Sequence, residues 1–154
     1  MEARWDKVGN MFLGEFTHKM DEKKRLTLPK AFLKSLGKEL VVTRGLDKSL
    51  FIYPKKEWEA VAAKIKELSF TQKDARAFAR FMLSGAMLVS VDKSGRILIP
   101  EHLAKFANLK SKVVLAGVSD RIEIWDEEKW RDYTKNIEDD ADLLAEKLGE
   151  VGVL

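Results

Sequence analysis

The sequence predicts an α+β protein with a mostly β core, built from two copies of one small β-β-α-β-β unit. A nine-residue stretch at 21–29 (DEKKRLTLP) returns at 92–100 (DKSGRILIP), so an acid, an arginine four positions later, alternating aliphatic residues and a proline recur 71 positions apart. Two further strand patterns recur at an offset of 72. Self-similarity at a fixed spacing indicates a duplicated structural unit. Apolar residues at helical spacing lie between the copies and after the second one.

Each copy begins with two short strand patterns joined by a polar turn, which we predict to pair as a hairpin. Gly95 supplies the positive φ that a tight hairpin turn needs. Lys24 stands at the same place in the first copy, which predicts a turn that is either looser or slightly strained. The four strand patterns cover residues 12–20, 25–28, 87–91 and 96–99.

A short helix and a second strand pair complete each copy. Pro29 and Pro100 stand where a first helical residue is favoured, and apolar residues follow each proline at helical spacing. The later strand patterns cover residues 40–43, 50–53, 113–116 and 121–125. The chain therefore divides into a leader at 1–10 that we expect to be flexible, a first repeat at 11–58, a helical connector at 59–86, a second repeat at 87–130 and a C-terminal helical, acidic tail at 131–154.

The size of each copy predicts close packing between them. A unit of about 40 residues is too small to fold alone without a disulfide, a metal or a partner. The chain has no cysteine, which excludes disulfides and cysteine metal sites. It also has no run of about 18 apolar residues and no apolar signal segment in its first residues, so we expect a cytoplasmic protein with no membrane partner.

The charge of the chain is uneven. Residues 137–154 carry six acidic side chains against one lysine, a net charge of −5, which leaves +8 on residues 1–136 of the total of +3. A basic body indicates a polyanion as partner, with a tail that could shield it. A soluble surface followed by a solvated helix is the simpler reading of the same charges.

The sequence offers little for catalysis. Its two histidines, His18 and His102, do not occupy matching positions in the copies, and a lone histidine is usually structural. No phosphate-binding loop, nucleophile elbow or zinc-binding helix motif occurs. We therefore predict a protein that is not an enzyme, with no cofactor, no metal and no small-molecule substrate.

The two Asp-x-x-x-Arg turns are the candidate binding residues. An arginine directly after a turn can present its guanidinium fork to phosphates or to guanine O6 and N7, and an aspartate four residues earlier can hold that fork in one rotamer. A cross-turn ion pair that only closes the turn is the alternative. Two matching copies in a basic body favour DNA binding. The residues are Arg25 and Arg96, with Asp21 and Asp92 as their supporting ion pairs and Lys23, Lys24 and Lys93 as added charge.

Other cations and aromatic residues rank lower. Arg44 is a second DNA-contact candidate, although the second copy has Ala116 in its place. We interpret the helical cations first as a solvated face and second as a flank for DNA; they are Lys73, Arg76 and Arg80. Three tryptophans fall in phase with apolar neighbours, which predicts core packing rather than base stacking, and these are Trp58, Trp125 and Trp130.

Taken together, these motifs closely resemble the MraZ family. The matching stretches are residues 11–15 (MFLGE), 21–29, 43–47 (TRGLD), 73–76 (KDAR), 84–86 (SGA), 92–100 and 120–125 (DRIEIW). The resemblance covers residue 11 to about residue 135. It implies two SpoVT-AbrB domains in one chain, folded as AbrB-like, double-psi-like β-barrel halves whose swapped hairpins interleave, with a helical insert and C-terminal helices.

The resemblance also implies a function. MraZ proteins are bacterial, nucleoid-associated transcriptional regulators of the division and cell-wall gene cluster. They form octameric or dodecameric rings that bind tandem short direct repeats in double-stranded promoter DNA. On this basis DNA contact falls chiefly on Arg25 and Lys23, while Arg96 contacts DNA or supports the ring. Lys24 replaces the glycine usual in the first turn of this family.

A protein that forms rings but does not bind DNA is the alternative function. In that case the Asp-x-x-x-Arg turns would make contacts between subunits. Substituting Arg25 or Arg96 would then change the mass of the protein in solution rather than its affinity for DNA.

Overall fold

The computed structural model describes residues 11–153, so the leader at 1–10 lies outside the described residues. The predicted α+β class is confirmed, with a six-stranded antiparallel sheet, a two-stranded ribbon and five α-helices in this part of the chain. The strands are β1 (Phe12–Lys19), β2 (Arg25–Thr27), β3 (Glu39–Arg44), β4 (Leu50–Pro54), β5 (Met87–Ser90), β6 (Arg96–Leu98), β7 (Lys112–Ser119) and β8 (Arg121–Asp126). The helices are α1 (Lys30–Leu36), α2 (Lys55–Lys66), α3 (Lys73–Ala79) with a π-helical turn at Arg80–Ser84 after it, α4 (Glu101–Phe106) and α5 (Glu127–Glu150).

The two copies exchange strands. The order of the large sheet is β1-β7-β8-β4-β3-β5, so the first strand of each copy pairs with the third strand of the other copy. β2 and β6 form a separate two-stranded ribbon with each other. The predicted hairpins are therefore wrong beyond their turns: the first is closed by an isolated bridge between Met20 and Leu26 and by the N–H of Asp21, which donates to the carbonyl of Arg25, and β1 and β2 form no ladder. Neither copy can bury a sufficient core alone, and the exchange gives both copies one core.

The exchanged strands of both copies enclose one hydrophobic core. One hydrophobic cluster takes residues from both copies, including the fully buried Leu26 of β2 and Ile97 of β6. Helix α1 joins it through Phe32, whose ring meets Phe12 and Phe16 edge to face at centroid distances of 5.6 and 5.0 Å. Edge-to-face pairs of this kind stabilise a core beyond the area that they bury.

The connector helices pack against the other face of β3 and β4. Their cluster is centred on four buried side chains, Phe51, Tyr53, Ile65 and Met82. The buried hydroxyl of Thr43 donates a hydrogen bond of 2.7 Å to the carbonyl oxygen of Met82, which fixes the π-helical turn on β3. Burial of a hydroxyl requires such a partner.

The C-terminal tail is one continuous helix rather than several. Only its first turns touch the sheet, where Trp125 packs against Trp130 and Tyr133 at centroid distances of 5.4 and 4.8 Å. The indole N–H of Trp130 donates to a carboxylate oxygen of Glu15 at 2.7 Å. Every side chain from Lys135 to Glu150 is exposed. None of the helices in the described part of the chain is long and apolar enough to cross a bilayer.

Candidate nucleic-acid interface

The first Asp-x-x-x-Arg turn is closed by its own aspartate. The backbone N–H of Asp21 donates to the carbonyl of Arg25 and the N–H of Lys24 donates back to the carbonyl of Asp21, each at 3.0 Å. Carboxylate Oδ1 of Asp21 accepts the backbone N–H groups of Lys23 and Arg25 at 3.0 and 2.9 Å. Its Oδ2 accepts Nε of Arg25 at 2.7 Å. The aspartate thus orders both the turn and the guanidinium.

The second turn repeats this geometry atom for atom. Oδ1 of Asp92 accepts the backbone N–H groups of Ser94 and Arg96 at 2.8 and 2.9 Å, and its Oδ2 accepts Nε of Arg96 at 2.9 Å. In both turns the arginine bonds through Nε, and no hydrogen-bond partner for either Nη nitrogen is present among residues 11–153. Each fork therefore has its outer edge available for a ligand.

Lys24 and Gly95 close their turns with the same backbone shape. Lys24 has φ of +66° and Gly95 has φ of +76°, and the same hydrogen bond to the aspartate carbonyl is made in both turns. The first turn is therefore not looser than the second, and Lys24 instead occupies the left-handed region that disfavours a side chain. This places the side chain of Lys24, half-buried, beside the DNA-contact candidates.

Backbone hydrogen bonds tie the two turns together. The N–H of Leu28 donates to the carbonyl of Gly95 at 2.9 Å, and the N–H of Ile99 donates to the carbonyl of Lys24 at 2.9 Å. Each bond runs from the end of one copy's strand to the turn of the other copy. The turns are thus fixed relative to each other by the β2–β6 ribbon between them.

The ribbon places both arginines on one face. Leu26 and Ile97 point into the core, so the flanking positions of each strand, with Arg25 and Arg96 among them, point outward. In the register Arg25 lies opposite Leu98 and Arg96 lies opposite Thr27, which makes the two arginines diagonal neighbours. Diagonal neighbours in an antiparallel pair are about 7–8 Å apart. Their side chains remain 37% and 34% exposed.

Both aspartates are stabilised in their charged form. The backbone N–H of Arg25 lowers the pKa of Asp21 most, desolvation opposes it, and the guanidinium of Arg25 and the backbone N–H of Lys23 lower the pKa further. The backbone N–H of Arg96 does the same for the pKa of Asp92. Hydrogen bonds to a carboxylate favour its ionised form. The two ion pairs therefore persist throughout the neutral pH range.

The remaining turn lysines lie around this face. Lys23 and Lys93 are exposed in their turns, two residues before Arg25 and three residues before Arg96 respectively. Glu22, Lys23 and Lys24 of the first turn line a groove with residues 98–101 of the second copy. The ribbon face thus carries two ordered guanidinium groups, with the ammonium groups of the turn lysines close to them in sequence. Ordered forks give geometric recognition, whereas lysines contribute charge.

Arg44 lies elsewhere and is already bound within the protein. Its Nη1 donates to the carbonyl oxygen of Phe81 at 3.0 Å, and its guanidinium carbon lies 5.6 Å from the centre of the Phe81 ring. A Cβ on Gly85 would stand 3.0 Å from the same Nη1. Arg44 thus connects β3 to the segment that enters β5.

The helical cations occupy a different surface from the ribbon. Arg76 and Arg80 line a groove between α2 and the α3 segment, and Arg76 donates through Nη1 to the carbonyl of Phe70 at 3.0 Å. Lys73 is exposed in the first turn of α3. Of the three tryptophans predicted to pack in the core, Trp125 is buried. Trp130 is half-buried against Trp125, and Trp58 is half-buried against the connector cluster.

Sequence reasoning missed the pairing of the two arginines on one ribbon face. It placed each arginine at the tip of a separate hairpin, because a polar turn between two strand patterns is the usual sign of local pairing. The recurring nine-residue stretch could have indicated this pairing. It gives two equivalent short strands, each with one inward-facing residue, Leu26 or Ile97, and such strands can pair with each other.

Comparison with known proteins agrees with this architecture. A sequence profile of the family described as "MraZ protein, putative antitoxin-like" matches residues 11–81 and again residues 82–148. A protein of Clostridium tetani named transcriptional regulator MraZ is 48% identical over 144 residues, which cover 93% of this chain and 100% of the relative. Relatives with the same name from Desulforamulus reducens and Acetivibrio thermocellus are 49% and 45% identical, over 90% and 93% of this chain and 97% and 100% of the respective relatives. The chain belongs to the MraZ family of transcriptional regulators.

Proposed function

We propose that this protein is a sequence-specific DNA-binding transcriptional regulator that reads tandem short direct repeats through the β2–β6 ribbon. The regulated DNA is the division and cell-wall gene cluster, and the ribbons are presented on a homo-oligomeric ring of eight or twelve chains. The protein is cytoplasmic and associated with the nucleoid. The gene cluster, the ring and the location are implied by membership of the MraZ family.

One observation carries the proposal: two arginines with ordered Nε atoms and available Nη atoms share one exposed ribbon face. A guanidinium fork that offers two parallel N–H groups fits O6 and N7 of guanine in the major groove, which is wide enough for a two-stranded ribbon. Asp21 and Asp92 fix the orientation of Arg25 and Arg96 before DNA binds. Such ordering reduces the entropy lost on binding.

The lysines of the turns have a separate role. Lys23, Lys24 and Lys93 are placed beside the forks, where they contact phosphates and set the overall affinity. Phosphate contacts hold a protein on DNA without reading its sequence. Arg44 is not included in this contact set, because its guanidinium is bound to the carbonyl and ring of Phe81.

Assembly makes this small surface sufficient. A good arginine–guanine pair provides about 1–3 kcal/mol of discrimination, which is too little for one ribbon to select a promoter. Linked ribbons bound to tandem sites multiply their affinities, provided that the spacing of the sites matches the spacing of the ribbons. A ring with ribbons at fixed intervals meets this requirement for direct repeats.

The proposal is tested by DNA binding and mass measured on the same variants. Arg25→Ala and Arg96→Ala are compared with the parent on operator DNA that carries native or scrambled repeats. We expect each substitution to reduce the preference for native repeats strongly while the mass of the oligomer is unchanged. Lys135→Ala is the matched control, because it removes one positive charge from an exposed position on α5, outside the ribbon.

Two results would contradict the proposal. If Arg25→Ala and Arg96→Ala discriminated native from scrambled repeats as well as the parent does, the ribbon would not be the reader. If the substitutions instead changed the mass and left DNA affinity intact, the turns would be subunit contacts, as in a ring-forming scaffold.

Salt dependence tests the electrostatic part. The logarithm of the binding constant should fall with the logarithm of salt concentration by about 0.9 for each phosphate neutralised. Lys23→Ala should reduce this slope by about 1 while leaving the preference for native repeats intact. A slope that does not change on removal of Lys23 would exclude that residue from phosphate contact.

A further inference from the structure

The second half of α5 has an apolar stripe whose side chains all remain exposed in the part of the chain that the structure describes. Ile137, Leu144, Leu148 and Val151 recur at intervals of seven, four and three residues, which places them along one side of the helix. Their side chains are 38%, 42%, 42% and 71% exposed. The helix direction is fixed by Trp130 and its neighbours on the sheet, so this half stands away from the body.

Such a helix half needs a partner. Isolated helices of about 12–15 residues are marginal in water, because packing of an apolar face supplies most of a helix's stability in a protein. Among residues 11–153, every side chain from 135 to 150 is exposed, so this segment buries no apolar face against the described body. Within residues 11–153 the stripe is thus left open to a second molecule.

The connector has an apolar groove of suitable character. It has a volume of about 270 Å³ and lies between α2 and the segment formed by α3 and its π-helical turn. Leu68, Phe70 and Leu83 line it and are 43%, 80% and 40% exposed. Leu83 also borders a second shallow pocket that contains Met87 and Leu88, so the apolar surface continues to the edge strand β5.

The charges of the two surfaces are complementary. Asp140 borders the stripe one turn before Leu144, while the other acids of residues 137–153, whose net charge is −5, lie farther round the helix and act only at longer range. The charged residues that line the groove are all cations, namely Lys66, Arg76 and Arg80. Opposite charge at the rim of an apolar contact steers the two surfaces together and fixes their register.

We infer that the second half of α5 of one copy docks into the α2–α3 groove of a second copy. Pairing of α5 with α5 of another copy would bring together two segments of −5 each, which disfavours it. The contact is heterologous, since helix and groove are different surfaces, and such contacts generate closed rings or open filaments. The inference rests on the oligomer of the proposed function and names the surfaces that build it.

The mass of paired variants in solution tests this contact. The helix variant carries Leu144→Asp and Leu148→Asp, and the groove variant carries Phe70→Asp and Arg80→Glu. We expect each variant alone to be a folded monomer and an equimolar mixture to form a dimer and nothing larger. Only one contact remains possible in that mixture. It joins the intact α5 of the groove variant to the intact groove of the helix variant.

A matched control separates loss of the stripe from general damage to α5. Asp142→Glu with Glu146→Asp changes the opposite side of the same helix and keeps its net charge, so the assembly should keep the parent's mass. Far-ultraviolet circular dichroism and melting temperature report whether each variant retains the folded body.

Each other outcome overturns the inference. Assembly of the helix variant at the parent's mass would show that the stripe is not used. Assembly of the groove variant alone would favour α5–α5 pairing, and a mixture that stays monomeric would exclude the helix–groove contact. A parent that is itself monomeric would also refute the ring, but the discrimination between native and scrambled repeats by Arg25→Ala would still test DNA reading separately.

Cross-linking provides a second measurement that does not depend on disruption. The chain has no cysteine, so Leu148→Cys and Phe70→Cys each create a unique thiol. A short bis-maleimide should join the two single-cysteine chains when they are mixed and should not join Leu148→Cys chains to each other. The reverse pattern would contradict the inference.

Discussion

Replacing Asp21 by Asn separates the orientation of Arg25 from its presence. The amide oxygen of asparagine can still accept the backbone N–H groups of Lys23 and Arg25, which Oδ1 accepts at 3.0 and 2.9 Å. The amide NH2 group that replaces Oδ2 cannot accept Nε of Arg25, so the 2.7 Å bond is lost. The turn should therefore persist while the arginine becomes free to change rotamer.

The magnitude follows from the ordering that DNA would then have to impose. Immobilising one rotamer-rich side chain on binding costs about 0.5–1.5 kcal/mol, so affinity for a single native site should fall by about 2- to 12-fold. Two linked sites that respond independently would show about a 5- to 140-fold loss. Affinity for scrambled DNA should rise, because a negative charge beside the phosphates has been removed.

Fluorescence anisotropy on native and scrambled repeats measures both quantities at one salt concentration. Asp132→Asn is the control, since it removes one exposed negative charge from α5 without touching the ribbon. We expect Asp21→Asn to lower the affinity for native repeats and to raise the affinity for scrambled repeats. We expect the control to change both affinities in the same direction. If Asp21→Asn strengthened binding to native and scrambled repeats equally, the ion pair would have no part in orienting Arg25.

Three further predictions concern the turns and the strand exchange. Gly95→Ala should destabilise the protein by about 1–2 kcal/mol, because its φ of +76° is strained for alanine. Lys24→Ala should change the melting temperature little, because Lys24 already has a side chain at φ of +66°. Equal losses of melting temperature in the two variants would contradict this explanation. Because the pKa values of Asp21 and Asp92 are lowered, these groups stabilise the folded state above pH 3.8, and that stability is lost as the pH falls below 3.8 through the lowered pKa values. Midpoints at or above 3.8 in a carbon NMR titration of the two carboxyl groups would refute the lowered pKa values. Gly117→Ala would place a Cβ 2.5 Å from the main chain of β1, so it should cost about 1–3 kcal/mol in denaturant unfolding, and a parent-like midpoint would argue against the exchanged strand pair.

The sequence could predict the elements of the fold but not all of their partners. Periodicity and the repeat located the strands and the short helices, because side-chain alternation and turn residues are local properties. The pairing of β1 with β7 is a contact between residues about 100 positions apart. Local rules favour the nearest strand, and the shared core overrides them because neither copy can bury Leu26 or Ile97 alone.

The candidate site was predictable residue by residue but not as a surface. The Asp-x-x-x-Arg spacing anticipates the bonds from Arg25 to Asp21, since an aspartate before a turn commonly accepts nearby backbone N–H groups. The common face of Arg25 and Arg96 depends on the β2–β6 register, which the turns themselves do not determine. The sequence ranks Arg44 lower only because the second copy lacks a matching arginine, whereas the structure shows its guanidinium bound to the carbonyl of Phe81.

Methylation interference at guanine N7 tests the central claim most directly, because it reports which bases each arginine touches. Operator DNA with sparse N7 methylation is bound by the parent, by Arg25→Ala and by Arg96→Ala, and the methylated positions that reduce binding are mapped. Two ordered forks on one ribbon predict that each substitution abolishes interference at its own guanine and leaves the guanine of the other fork affected. An interference pattern that is the same for the parent and both variants would contradict reading by the ribbon.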